Sequence, residues 1–205
     1  HYAITTLDDC SRLLIYADLV QQENSCVHIQ ALQSVMLQFG VPKHYYTDQH
    51  RIFRFIQGRD SWYRNHILVT DQSNPQWKQV LLDCGSDVIY ALSSQGKGKI
   101  ERPYQWMQDR VVRKCAKDKV VKFSEIQQIF RFEVQRYNTR QVHSTTGEIP
   151  IVRYERLRKE HRSSFTTFHA TPPFAVVDIF AFRTERRVTG YQTISLHNMN
   201  LNVPH

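Results

Sequence analysis

Across residues 24–40 the apolar side chains Val27, Ala31, Leu32, Val35, Met36 and Phe39 recur at helical spacing. Asn24 or Ser25 can cap the start, Gly40 suits the stop, and Pro42 then breaks the chain. Upstream, "HYAITTLDDCSRLLIYADLV" reads as two β-runs joined by a polar turn at residues 8–11, a link short enough for an antiparallel hairpin. Downstream, "KHYYTD" is a short strand that ends on Asp48. A strand–helix–strand unit of this kind favours parallel pairing of its two strands. The expected fold is therefore α/β, a mixed sheet flanked by helices.

The rest of the chain continues the alternation. Residues 49–74 mix bulky apolar and basic side chains and read as a loop with a short helix. Pro75 can start a helix with Trp77, Val80 and Leu81 on its apolar face, and Gly85 fits its end. "DVIYALSS" is a short apolar strand, and "QGKGK" is too glycine-rich for helix or strand. From Ile100 a helical stripe returns through Tyr104, Met107, Val111 and Cys115, with Pro103 tolerable in the first turn. A second helix carries Ile126, Ile129, Phe130 and Val134, with Ser124 as its cap and Gln127 closing a capping box. After Tyr137 the texture turns polar, and "VRYERLRKEHR" reads as an exposed basic linker or short helix. "FAVVDIFAF", "RRVT" and "TISL", with a turn at Gly190, read as strands of a small all-β module. This divides the chain into a core at 1–148, a basic linker at 149–173 and a partial β-module at 174–205.

Composition narrows the partner. The 205 residues suffice for one core domain with a smaller appendage. A net charge of +8 and a pI near 9.4 favour a polyanion, either nucleic acid or an anionic membrane. No apolar run reaches the roughly 18 residues that span a bilayer, and no signal peptide is visible, so no membrane partner is expected. The four cysteines show no CxxC spacing and read as reduced thiols of a cytosolic or nuclear chain. The ten histidines are scattered and read as surface or core residues. The chain begins at His1 within a strand-like run and ends within another, which reads as a piece of a longer protein.

Two carboxylates stand out by context. Taken singly, Asp48 is a loop carboxylate or cap, and Glu101 is a first-turn glutamate favoured by the helix dipole. On the helix wheel, however, Glu101 shares with Gln105, Gln108 and Val112 a face flanking the apolar stripe, at the edge of the core. In an open α/β sheet the strands ending at Asp48 and near Ser93 deliver their ends to one region. Converging carboxylates there make a hard oxygen site for Mg²⁺ or Mn²⁺. Residues 97–122 hold nine basic side chains against three acidic ones, suited to phosphates.

These stretches resemble the DDE transposases and retroviral-type integrases. "TTLDDCSRLLIYADL" is similar to the second strand of that family and to the D-D-x-S-R turn of insertion-sequence transposases. "GVPKHYYTDQHRIF" looks like the segment bearing the second catalytic aspartate, at Asp48, and "QGKGKIER" like the G-K-x-E-R segment bearing the catalytic glutamate, at Glu101. "YNTRQVHSTTGEIP" resembles the signature Y-N, His, Pro that follows, and "RRVTGYQTISLHNMNLNVP" the small β-barrel found after the core. The resemblance runs over nearly the whole chain. It implies a ribonuclease-H-like core, two Mg²⁺ or Mn²⁺ ions on Asp48 and Glu101, and metal-dependent cleavage and strand transfer of DNA. Lys97, Lys99, Arg102, Arg110, Arg113 and Lys114 would then grip DNA phosphates. It further implies transposon ends and target DNA as partners, a homo-oligomer in the active complex, and a nucleoid-associated or nuclear location according to the host.

Two departures qualify it. The spacing from Asp48 to Glu101 exceeds that of compact retroviral integrases, with the extra residues falling within 49–74. The first aspartate of the family lies on a strand preceding the hairpin, which this chain does not contain. Asp8 and Asp9 match the turn after the second strand instead, so the chain alone is expected to lack one metal ligand and to be inactive. The alternative is a transposase-derived DNA-binding protein without catalysis. Another ribonuclease-H-like nuclease fits the basic linker and β-module less well.

Overall fold

The computed structural model describes residues 1–48, 50, 52–53, 75–91, 98–170, 175–183, 188–196 and 199–203, with backbone alone at 98–102 and 196. The chain is mixed α/β. Strands β1 (Tyr2–Leu7) and β2 (Leu14–Val20) precede helix α1 (Ser25–Phe39) and strand β3 (His44–Thr47). Helix α2 (Gln76–Asp83), strand β4 (Asp87–Tyr90) and the long helices α3 (Gly98–Lys117) and α4 (Phe123–Arg140) follow. Helices α5 (Pro150–Lys159) and α6 (Val176–Ile179) lead to β5 (Thr193–Leu196) and β6 (Met199–Asn202).

The hairpin forms as its short polar link requires. β1 and β2 pair antiparallel, with Tyr2 opposite Val20 and an irregularity between Thr6 and Leu7. Its turn is wired by side chains: the Asp8 carboxylate accepts from the Ser11 amide at 2.8 Å and from the Ser11 hydroxyl, and Ser11 Oγ accepts from the Leu13 amide. α1 starts where Asn24 Oδ1 accepts from the Val27 amide at 3.0 Å. Ile29, Ala31, Leu32, Val35 and Met36 are its buried residues. Gly40 ends it at φ +99°, and a Cβ there would lie 2.3 Å from the carbonyl oxygen of Thr166. Val41 and Thr166 exchange backbone hydrogen bonds at 2.8 and 2.9 Å, so the approach is fixed on both sides.

β2 is covered on both faces, as period-two alternation allows. Leu14 packs with Met107 and Val111 of α3 and with Phe130 and Tyr137 of α4. Leu13 and Ile15 pack with Val35 of α1 and Tyr154 of α5. A further cluster joins Ile29, Leu32 and Met36 of α1 to Trp77, Val80 and Leu81 of α2, and Ile179 and Phe180 close it. α4 also holds β2 by polar bonds. Gln127 donates to the Leu19 carbonyl at 2.9 Å, and the Asn138 side-chain amide pairs with both backbone groups of Leu14.

Several expectations are corrected. β2 and β3, on either side of α1, do not pair among the described residues; β3 pairs parallel with β4 across α2, and the described strands form three separate two-stranded sheets. The strand–helix–strand rule therefore applies one unit later than expected, and one continuous mixed sheet is not seen. α3 begins at Gly98 rather than Ile100, which puts Pro103 in the second turn. α4 begins at Phe123, so Ser124 lies inside the helix rather than at its cap; Lys122, the N-cap, has no side-chain acceptor and makes no side-chain capping bond, and Gln127 is committed to β2. Of the two readings of "VRYERLRKEHR", linker or short helix, the helix holds, but it is not wholly exposed: Tyr154 and Leu157 are buried. "FAVVDIFAF" is no strand: α6 forms in it, with Asp178 accepting from the Ala175 amide at 2.9 Å. "TISL" does form a strand, β5, which pairs antiparallel with β6, but the described residues contain no closed barrel.

Candidate active site

Asp48 follows the last residue of β3, and Ala91 the last residue of β4. The Ala91 amide donates to the Thr47 carbonyl at 2.7 Å, so the two parallel strands finish side by side. In parallel α/β arrangements the carboxyl ends of the strands are where ligands are taken. Asp48 is half-buried there. Its Oδ1 accepts from the His50 amide at 3.1 Å, and its carbonyl from the Thr47 hydroxyl at 3.1 Å.

The segment after Asp48 is anchored by Phe53. The Phe53 amide donates to the His50 carbonyl, and its own carbonyl accepts from the Tyr90 hydroxyl, both at 2.8 Å. The ring stands edge-on to His28 at 4.9 Å and to Trp77 at 4.8 Å. Glu23 in turn fixes the far side of His28, with 2.8 Å between Oε1 and Nε2. The aspartate at the strand end is thus held by a turn whose aromatic foot is wedged between α1 and α2.

Glu101 lies in the opening turns of α3, on a chain that left β4 at Ala91. Its side chain, and hence its distance from Asp48, lies outside what is described. The helix face expected to flank the core is open where it is described. Gln105 and Gln108 are exposed and Val112 is 60% exposed, while Met107 and Val111, on the adjoining stripe, fill the core. Of the stripe that Glu101 shares on the helix wheel, the described members Gln105, Gln108 and Val112 are thus exposed, while Glu101's own side chain lies outside the described residues. Tyr104 donates to the Ala3 carbonyl at 3.0 Å and ties this end of α3 to β1. Burial pushes the Tyr104 phenol up, a hydrogen bond with Thr5 opposes the shift, and the Glu23 charge adds to it. Among the described residues no three His, Cys, Asp or Glu side chains gather as a metal site. Asp48 is the one expected ligand whose side chain is described, and a half-buried carboxylate at a strand end fits a hard divalent cation.

The expected phosphate grips divide. Lys97 lies outside the described residues, as do the side chains of Lys99 and Arg102. Arg110 lies over the Trp106 ring at 4.5 Å, and Lys114 over the Phe132 ring at 4.6 Å. Arg113 pairs with Asp109 at 2.7 Å, both well exposed. These three cations share the surface that α3 forms with α4. Arg136 and Glu133, on the neighbouring α4, complete the same surface and were not singled out from the sequence. Their spacing from Phe132 offered a helical signal, but only the packing of α3 on α4 shows which face they share.

The Y-N, His, Pro signature has a mechanical role. Tyr137 donates to the Arg12 carbonyl at 3.2 Å, and Asn138 pairs with Leu14. His143 is buried and opens the turn in which its carbonyl accepts from the Gly147 amide at 2.8 Å. Pro150 begins α5. Glu148 binds Arg153 at 2.9 Å and Arg156 at 2.8 Å, and Arg153 also donates to the Cys10 carbonyl. Hydrogen bonds from Arg156 hold the Glu148 carboxyl below the usual glutamate range. The signature thus clasps the β1–β2 turn.

No helix among the described residues is long and apolar enough to cross a membrane. No family model matches the chain. Over 107 residues, 52% of its length, the chain is 27% identical to a protein of Sinorhizobium fredii named "Putative transposase y4bF", of which the match spans 22%. The chain is therefore similar, over about half its length and a fifth of that relative, to a transposase.

Proposed function

We propose that the chain is part of the catalytic core of a DDE-type DNA transposase, cleaving and joining DNA strands. The observation that carries the reading is Asp48 at the carboxyl end of the parallel β3–β4 pair, with Glu101 in the first turns of α3, the next helix along the chain from β4. The partial likeness to a transposase supports it. Asp48 and Glu101 would hold Mg²⁺ or Mn²⁺, which when bound activates an attacking oxygen and stabilises the leaving one. A further carboxylate is needed from beyond these two. Water attacks a phosphodiester at the element end and a 3′ oxygen leaves; the freed 3′ hydroxyl then attacks a phosphodiester of target DNA, joins to its phosphorus and expels the target's own 3′ oxygen as a hydroxyl. Lys97, Lys99 and Arg102, near Glu101 in sequence, position the scissile strand. The assembly that brings transposon ends and target together is a homo-oligomer.

The test is strand transfer by the full-length gene product in Mg²⁺ or Mn²⁺, beside DNA affinity. Asp48→Asn and Glu101→Gln should each abolish joining and leave affinity within about twofold, because binding is spread over many cations. Joining at wild-type rates by either variant would refute the assignment.

A further inference from the structure

The groove between α3 and α4 has a volume of about 520 Å³, within the roughly 300–1,000 Å³ of small-ligand clefts. Five cations and three carboxylates line it. Two of the cations, Arg110 and Lys114, lie over aromatic rings. Glu133 is the exception in this surface. It is 3% exposed, and its Oε2 is buried and takes no hydrogen bond. The Arg136 guanidinium stands 3.7 Å away, an ion-pair distance without a bond.

A buried carboxylate oxygen without a donor is costly, and such groups call for a reason. In a groove whose net charge attracts anions, the missing partner must bring N–H donors together with negative charge. A phosphodiester alone brings no donor. A nucleotide brings both, and the bases differ in what they offer. Guanine presents two adjacent donors, N1–H and the 2-amino group, which match the two oxygens of a carboxylate. Adenine and cytosine present one amino group beside a ring acceptor. The imide N–H of thymine lies between two carbonyls that a carboxylate repels.

We propose that the α3–α4 groove holds a guanine nucleotide of a single-stranded nucleic acid, with Glu133 on the base and Arg110, Lys114, Lys117 and Arg136 on the flanking phosphates. The strand is single because pairing in a duplex occupies the edge that Glu133 would read. Arg136 now covers Glu133; turning to a phosphate, it uncovers the carboxylate. The choice of nucleic acid over another polyanion rests on the function proposed above, whereas the groove itself uses neither Asp48 nor Glu101.

The test is fluorescence anisotropy of the chain with labelled octanucleotides: all-thymidine, one guanine among thymidines, and deoxyinosine in place of that guanine. The guanine strand should bind roughly 5–100-fold tighter than the all-thymidine strand, the range of a good bidentate base contact. Deoxyinosine, which lacks the 2-amino group, should lose most of that gain. Glu133→Gln should remove the preference and keep the all-thymidine affinity, with circular dichroism checking its fold. Lys114→Ala with Lys117→Ala should weaken all three strands alike and lower the salt slope by about 0.7 for each phosphate no longer neutralised. Asp48→Asn should change none of this, so failure of the catalytic reading and failure of the groove are separable. Equal affinity for the guanine and thymidine strands, an unaltered preference in Glu133→Gln, or tighter binding of the same sequence as a duplex would each overturn the proposal. So would displacement by polyglutamate at the concentration at which the unlabelled guanine strand displaces, which would make the occupant an acidic peptide.

Discussion

Asn138 and Leu14 exchange two hydrogen bonds, 3.0 Å from the Leu14 amide to Oδ1 and 2.9 Å from Nδ2 to the Leu14 carbonyl. A side-chain amide on α4 thereby does what a neighbouring strand would do for β2. Leu14 is buried, so water cannot replace the amide. Asn138→Ala should destabilise the fold by about 2–4 kcal/mol, since it strands a donor and an acceptor together. Urea denaturation measures it. A loss under about 0.5 kcal/mol would show that the clasp contributes little.

Gly40 and Gly85 both have positive φ, at +99° and +78°, but only Gly40 faces backbone where a Cβ would stand. Gly85→Ala should cost about 1 kcal/mol, the strain of the left-handed conformation. Gly40→Ala should cost at least about twice that, because the Thr166 carbonyl is fixed by its bonds to Val41 and cannot give way. Thermal denaturation of the two variants, side by side, decides it. Equal losses would mean that the Val41–Thr166 bridge yields.

The Glu148 carboxyl is lowered by its bonds to Arg156 and then Arg153. A depressed folded-state value gives stability that is present above the unfolded-state value and is lost as pH falls through the folded one. The urea midpoint of the wild type should therefore fall through the acid range below pH 4.5 more steeply than that of Glu148→Gln. Parallel pH profiles would remove Glu148 from the clasp.

Lys97 and Lys99 are expected to meet phosphates without reading bases. Changing both to alanine should weaken binding to element-end and random duplexes alike, and lower the salt slope by roughly 0.9 for each phosphate no longer neutralised. Affinities across a salt series measure this. An unchanged slope would show that both are merely solvated, and weakening confined to the element end would assign base reading to this loop.

Local pattern carried far in this chain. α1 and α2 bury most of the apolar residues that their periodicity marks, although α1 divides its stripe between α2 on one side and β2 and α5 on the other. What eluded local reading depends on partners distant in sequence. The apolar run at residues 174–182 has strand composition, yet Ile179 and Phe180 are needed by the α1–α2 cluster, and a short helix places them there. The adjoining backbone is held as well: Gln76 pairs its amide with both backbone groups of Arg183, and the Arg183 guanidinium reaches Asp83 at 2.6 Å. Gln127 had the spacing of a capping box and is used as a tie to β2. At the candidate site, Asp48 was legible because a strand end needs only local signals. The open face of α3 was not, since it depends on which stripe of the helix meets β2 and α4.

The closure of the α1–α2 cluster by Ile179 and Phe180 has a consequence in time. On the ribosome, Ile29, Leu32 and Met36 are synthesised long before the residues that cover them. At about 5–20 residues per second, the chain between Met36 and Ile179 takes roughly 7–30 s to appear. Through that interval the nascent chain carries an unfinished apolar surface, which makes it a client for any chaperone waiting at the exit tunnel.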